Sequence, residues 1–369
     1  MTARAWRTYS TTVTLTPLYS LGFTAALVLV VLVITGWLLS SAYCANSESL
    51  QAIWDLVETN TREQTVGWLC RSLHACGASL FLGTIYAHLL RAAFHSSHAT
   101  RPHIWTIGVI LLLLASGAAF TGYTLVAGQM SYWAVVVITN LIGVLPGNVG
   151  QAILTWLWGS STVTAATMGR MYSLHFLLPL VVVCMVAAHL LVLHSTNSTG
   201  EQSQPTRYSN LVPFYPLLMV RDVVVGALGI AALAISVGWW SVELGHPDNF
   251  LAANPLVTPS HIQPEWYFLP YYGLLRAYPS KPIGILSMLL AIVALVAVTN
   301  RTSWTSWNVR NAAHHSQVIL LGAEFTTLSW ACIQVNGNEQ IYLLLTTSVL
   351  SSSIVQVTPR VNSYSAQVN

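Results

Sequence analysis

Long apolar runs separated by short polar stretches dominate the chain. Eight such runs, at about 18–40, 66–92, 104–125, 168–193, 222–241, 283–300, 316–334 and 340–357, are long enough to cross a bilayer, since a spanning helix needs about 20 mostly apolar residues. The pattern predicts an all-α membrane protein with eight transmembrane helices. Polar, glycine-containing stretches around 128–131 and 143–150 interrupt the region after the third run. Residues 128–160 contain no Asp, Glu, Lys or Arg, and we expect two short helices there, lying along the membrane surface. A polar linker at 195–216 divides the chain into two domains, residues 1–200 and 201–369, each with four of the spans. The tail after Pro359 is polar and is expected to be loose.

Composition agrees. Hydrophobic residues make up 54% and charged residues 7% of the 369 positions, with a mean hydropathy of +0.61, whereas soluble domains carry about 25% charged residues. A net charge of +3 gives no case for nucleic-acid binding. The first run, from about Leu21 to Leu39, is long enough to span and stay rather than act as a cleaved leader. None of the five cysteines forms a Cys-x-x-Cys-His haem attachment motif, so any haem here is held non-covalently. Loop charges are asymmetric. Arg4, Arg7, Arg91, Arg101, Arg207, Arg221, Arg301, Arg310 and Arg360 fall on the side of both termini, and Glu48, Asp55, Glu58, Glu63, Glu243, Asp248, Glu265 and Glu339 on the other. The positive-inside rule then places both termini on the negative side.

Two histidine pairs carry the candidate chemistry. His74 and His88 lie fourteen residues apart in the second run, and His175 and His189 fourteen apart in the fourth. Fourteen residues rise ~21 Å, close to four helical turns, so each helix offers two imidazoles on nearly one face. A lone intramembrane histidine is more often a packing or proton-relay residue. Two pairs with one spacing, in helices expected to run parallel, suit two stacked bis-histidine haem sites. Gly22 and Gly36 in the first run, and Gly108 and Gly122 in the third, repeat the same interval. Glycine lets a backbone approach a flat ligand, although small residues also promote plain helix packing. Antiparallel alternation groups Gly36, His74, Gly122 and His175 near the positive side, and Gly22, His88, Gly108 and His189 near the negative side. Arg71, Arg91 and Arg170 flank the histidines as candidate partners for haem propionates, with snorkelling to headgroups as the alternative.

Several stretches resemble a known family. They are Arg71-Ser-Leu-His74-Ala-Cys-Gly-Ala-Ser, Gly122-Tyr-Thr-Leu-Val-Ala-Gly-Gln-Met-Ser-Tyr-Trp133, Val137-Ile-Thr-Asn-Leu, Gly245-His-Pro-Asp-Asn through Asn254-Pro-Leu, and above all Pro264-Glu-Trp-Tyr-Phe-Leu269. Over roughly residues 18–357 the chain resembles mitochondrial cytochrome b of ubiquinol–cytochrome c oxidoreductase, respiratory complex III. Fused halves and two spacings of fourteen favour the mitochondrial or bacterial type over the chloroplast type, and the short loops lean mitochondrial.

The resemblance implies a di-haem subunit that oxidises ubiquinol on the positive side. One electron of each quinol goes to a Rieske iron–sulfur partner. The other crosses through the two haems to reduce quinone on the negative side, in a proton-translocating Q cycle. It implies a low-potential haem b on His74 and His175 and a high-potential haem b on His88 and His189. It implies a quinol-oxidation pocket with Glu265, Tyr123 and Tyr272, and a quinone-reduction site with His194, Ser198 and Asp222. It further implies docking of the iron–sulfur protein near His261, cytochrome c1 and other complex III subunits as partners, contact with membrane lipid, a homodimeric complex, and a multi-pass protein of the mitochondrial inner membrane with both termini in the matrix. Two rivals are a histidine-relay transporter and a haem-bearing dehydrogenase anchor. The halves show no repeat of the kind transporters carry, and the Pro264–Tyr267 motif argues against the anchor.

The chain departs from the family in places. Val126-Ala127 stand where Pro-Trp is usual, and Ala134 where Gly is usual. Residues 1–17 do not resemble the family's amphipathic surface helix. Glu324, an acid inside the seventh run, reads as a buried structural acid. The methyl of Ala134 should crowd ligands that use the space beside the quinol pocket. We therefore expect weak inhibition by methoxyacrylate-type inhibitors in a turnover assay; full sensitivity would count against that crowding.

Overall fold

The computed structural model describes residues 10–12, 15–95, 97–196, 211–297 and 307–333. In chain order the elements are strand β1 (Ser10–Thr12), α1 (Leu21–Ser41), α2 (Leu50–Arg62), α3 (Gly67–Phe94), α4 (Pro102–Thr124), α5 (Gln129–Thr139), α6 (Val149–Trp158), α7 (Ala165–Thr196), strand β2 (Leu211–Pro213), α8 (Met219–Trp239), α9 (Leu269–Arg276), α10 (Lys281–Ala297) and α11 (Trp307–Ile333). A single helical turn, Ser97–Thr100, precedes α4.

The all-helical membrane architecture expected from the apolar runs is present. Among the described residues five helices are long and apolar enough to cross a membrane: Pro17–Ser41, Gly67–Phe94, Pro102–Thr124, Ala165–Ser195 and Phe214–Trp239. The sixth and seventh runs form shorter apolar helices, Lys281–Leu295 and Val318–Ile333. The eighth, 340–357, lies outside the described residues, so the count of eight is not confirmed. Helix is what lipid demands here, because each backbone N–H and C=O must be satisfied within its own segment. Thr24, Thr35, Thr84 and Thr121 satisfy their hydroxyls on carbonyls one turn back. The two short helices expected after the third span are α5 and α6.

Packing divides the chain into two compact units: residues 1–91 with 110–268, and residues 92–109 with 269–369. In the first, α1, α3, α4 and α7 contribute Val28, Leu29, Phe81, Leu82, Ala115 and Val182 to one core, together with Tyr267. A second core collects Ile53 of α2, Ala127, Tyr132 and Val135 around α5, Leu154 and Trp158 of α6, and Met168 of α7. Helix α8 lies on α1 at two glycines: a Cβ on Gly226 would sit 2.6 Å from Leu27 Cδ1, and one on Gly229 would collide with Thr24 Cγ2. Small residues at such contacts let helices pack closely where lipid removes the hydrophobic drive. Many large apolar side chains of α7 and α8, such as Phe176, Leu191, Val224 and Leu228, point outward, as lipid-facing surfaces do. Exposed tryptophans mark chain-equivalent ends: Trp37 near the end of α1, Trp68 at the start of α3, and Trp239 and Trp240 at the end of α8. Such rings favour the membrane interface.

The strands β1 and β2 and the helices α2 and α9 escaped the sequence reading. The acidic loop after α1 contains α2, whose N-cap Ser49 accepts a hydrogen bond from Ala52 N–H at 3.1 Å and whose Ile53 is fully buried. Near the N-terminus, β1 pairs antiparallel with β2, Ser10 opposite Pro213 and Thr12 opposite Leu211.

The second unit packs α9, α10 and α11 around Leu269, Leu274, Ala277, Leu328 and Cys332. Trp105 Nε1 donates to Leu295 O at 2.7 Å, and Ser287 Oγ to Leu274 O at 3.0 Å. Glu324 is half-buried in α11.

Candidate functional site

The first histidine pair meets in the bundle of the first unit. The ring centroids of His74 (α3) and His175 (α7) are 6.1 Å apart, with planes at 84°. Each Nδ1 is engaged. His175 Nδ1 lies 2.8 Å from Ala118 O, and a carbonyl only accepts, so Nδ1 carries the proton. His74 Nδ1 lies 2.9 Å from Thr35 Oγ1. That hydroxyl already directs its single proton to Val31 O at 2.8 Å, so here too the imidazole donates. Both tautomers thus leave the Nε2 lone pair for a ligand, the arrangement by which a metal-bound histidine is oriented from behind. Two metal–nitrogen bonds of about 2.0 Å, plus about 1.1 Å from each nitrogen to its ring centre, would set the centroids about 6.2 Å apart. The observed spacing fits a metal centre held between them. A Cβ on Gly36 would stand 2.9 Å from His74 Cε1, and one on Gly122 would strike His175 Cε1 and lie 2.8 Å from its Nδ1. The glycines expected to make room here therefore lie directly against the rings.

The second pair shares the glycine contact but not the Nδ1 hydrogen bonds. A Cβ on Gly22 would lie 3.2 Å from His88 Cε1, and His88 and His189 are close enough to interact electrostatically. Their Nδ1 atoms are buried and have no hydrogen-bond partner. Gly108 lies on α4 in the second unit. Arg91 follows His88 by one turn and places its guanidinium 4.0 Å from the Tyr19 ring centre. Arg71 is engaged elsewhere: its Nη1 pairs with Glu58 Oε1 at 2.8 Å and donates to Thr61 Oγ1 at 2.9 Å. Burial pushes the Glu58 carboxyl up, but Arg71 and Arg62 outweigh it and hold the group below the usual range. Arg170 packs beside Gly159, a left-handed residue at the end of α6.

Glu265 sits half-buried between α4 and its own segment. Burial pushes its carboxyl up to about 7, against an opposing pull from Tyr123. Tyr123 Oη is buried and lacks a partner of hydrogen-bonding geometry, yet it is near enough for the two groups to influence each other. Burial, then Glu265, push the Tyr267 phenol far above its ordinary value, so it stays protonated. Tyr272 lies in the second unit, where Arg276 stacks 5.5 Å from its ring.

The turn after α4 and the segment ahead of Glu265 are tied by main chain. Residues 127–131 and 249–257 are joined by an antiparallel bridge between Gly128 and Ala252. Ala253 N donates to Ala127 O and Gln129 N to Leu251 O, at 3.0 and 2.9 Å. The buried Gln129 side chain spans the join, donating to Val257 O at 2.6 Å and accepting from Asn254 N at 2.7 Å. Asn249 Oδ1 accepts from Ser131 N at 2.9 Å, and a Cβ on Gly128 would collide with Asn249. The departure at Ala127 falls in this join. Its φ of 52° is a left-handed conformation that costs an L-residue about 1–2 kcal/mol, held by the surrounding bonds. Ala134 is buried.

At the other end of the bundle, Ser20 Oγ donates to Asp222 Oδ1 at 2.6 Å, and Arg221 Nη1 donates to Leu15 O. His194 lies in the last turn of α7, half-buried. Ser198 lies outside the described residues. Sequence reasoning missed Thr35, Ser20, Gln129 and Asn249. Thr35 sits beside Gly36, so a hydroxyl next to a ring-facing glycine was a usable signal. The others act across 100 residues or more of chain, which no local pattern encodes.

Residues 7–197 match the family model for cytochrome b/b6/petB, and residues 252–351 that for the C-terminal part of cytochrome b/b6/petD. Cytochrome b of Rickettsia bellii is 42% identical over 282 residues, spanning 76% of this chain and 70% of that protein. Cytochrome b of Chondrus crispus is 39% identical over 287 residues, spanning 77% and 73%. Among solved structures, a chain of a hyperthermophilic respiratory complex III superposes with a TM-score of 0.87 at 25% identity, covering 95% of this chain and 93% of that one. The chain belongs to the cytochrome b family.

Proposed function

We propose that this chain is the di-haem, quinone-reacting catalytic subunit of a respiratory ubiquinol–cytochrome c oxidoreductase. His74 and His175 would hold a low-potential haem, and His88 and His189 a high-potential one. The observation that carries this reading is the first pair: two imidazoles 6.1 Å apart, each with its Nδ1 proton committed, pressed against glycines. Bound haem supplies two one-electron stations between the two sides of the membrane, so that quinol oxidation on one side drives quinone reduction on the other. Gly22, Gly36 and Gly122 would leave room for the macrocycles, and Arg91 and Arg170 would be the cations for propionates. Arg71 joins them through the nitrogens it does not direct to Glu58.

The protein's own residues handle protons. Quinol oxidation releases two, and Glu265 accepts one: its raised affinity makes it a useful base near neutral pH. Tyr123 stands beside it. At the opposite side Asp222, oriented by Ser20, acts with His194 and Ser198 to deliver protons to reduced quinone. The partners are a Rieske iron–sulfur protein, cytochrome c1 and further subunits of a dimeric complex III. The Arg-rich loops support termini on the negative side, and the likeness to eukaryotic relatives such as that of Chondrus crispus supports the mitochondrial inner membrane.

Two variants test these roles. Below about pH 7 Glu265 already holds its proton and cannot accept another, so quinol oxidation should rise with pH through that point. Glu265→Gln should slow oxidation about tenfold to a hundredfold and remove the inflexion; a variant with the unaltered pH profile would contradict the assignment. Gly122→Ala pushes a methyl into the His175 ring, so the optical signal of the first haem should vanish while the second persists. Retention of both would contradict the assignment of His175.

A further inference from the structure

The segment that carries Glu265 is seated on one face of α3. Tyr86 Oη donates to the backbone carbonyl of Tyr267 at 2.8 Å. Trp266 Nε1 reaches Ser79 Oγ at 3.4 Å. A Cβ on Gly83 would stand 3.4 Å from Trp266 Cη2, so the indole lies over a position with no side chain. Ser79, Gly83 and Tyr86 are spaced four and three apart, which puts them on one helical face. Below this seat the Tyr267 ring enters the bundle core beside Phe81 and Leu82 of the same helix.

We propose that Tyr86 is a positioning residue for Glu265: with Ser79 and Gly83 it fixes the Trp266–Tyr267 backbone on α3 and so sets where the carboxylate stands. The proposal rests on the reading of Glu265 as the acceptor of a quinol proton. Three points support it. The Tyr86 bond is made to main chain two residues from Glu265, so it controls backbone position rather than chemistry. A buried carbonyl that loses its donor pays desolvation, which makes the seat cooperative with the burial of Tyr267. Helix α3 also carries His74 and His88, so one rigid element holds the proton acceptor and an imidazole of each pair in fixed relation. Misplacement by about 1 Å can slow a reaction about a hundredfold. The titratable groups acting on Glu265 are Tyr123 from α4 and Tyr267 from its own segment; Tyr86 reaches it through the backbone.

The test is Tyr86→Phe, which deletes only the hydroxyl, in the complete membrane complex. Optical spectra, kcat and KM for quinol, and the pH profile are read together. Both haem signals should remain and kcat should fall about tenfold. The inflexion near pH 7 should move down by roughly half a unit or more as water reaches the carboxyl. An unchanged kcat, or a lower kcat with the inflexion in place, overturns the proposal. Should Tyr86→Phe lose its haem signals, Gly83→Leu decides: its side chain displaces Trp266 from the seat and must shift the inflexion in the same direction, and an unmoved inflexion overturns the proposal. Glu265→Gln abolishes the inflexion whereas Tyr86→Phe moves it, so the seat and the role of Glu265 fail on different results.

Discussion

An imidazole inside a membrane has two nitrogens to satisfy and no water to satisfy them with. At His74 and His175 the protein resolves this by giving each Nδ1 proton to an acceptor fixed in a neighbouring helix, Thr35 in one case and the Ala118 carbonyl in the other. Only the Nε2 lone pair is left facing inward. The rest of the first unit follows from that commitment. Thr35 accepts because its own proton is spent on the preceding turn of α1. Its neighbour Gly36 has no side chain because the ring it serves is already in contact. Gly122 stands in the same relation to His175 on α4. Helix α1 is thereby set against α3, and α4 against α7, each by one hydrogen bond and one missing side chain.

A second constraint is the burial of one acid. Glu265 stands half-buried beside Tyr123, on a segment seated on α3. Desolvation lifts its affinity for protons towards neutrality. The join between residues 127–131 and 249–257 includes a left-handed alanine at 127, a conformation sustained only because main-chain bonds on both sides over-determine it. Strained residues cluster at functional sites, and here the strained residue is also where the sequence departs from the family pattern.

The spans, the fourteen-residue intervals and the two short helices after the third span were legible in the sequence, because each is a local periodicity that lipid enforces. The sorting of Gly36 and Gly122 with His74 and His175, and of Gly22 with His88, was legible too, since equal intervals on antiparallel helices bring like positions level; that these glycines lie against the imidazole rings themselves was not. What was not legible depends on contacts between distant segments. Arg71, expected to face a propionate or to snorkel to headgroups, holds Glu58 from a helix read as loop. Asp222 was marked only by the family resemblance, with nothing in the pattern to mark Ser20, 202 residues away, as its donor. Gln129 and Asn249 look like ordinary polar loop residues until the bridge between Gly128 and Ala252 brings their strands together.

The central claim is that two haems lie between these histidine pairs. A potentiometric titration of the purified protein, followed by reduced-minus-oxidised difference spectra, tests it most directly. The account predicts two separate one-electron waves of b-type haem at different midpoint potentials. A colourless protein, or a single wave accounting for all the haem, would contradict it.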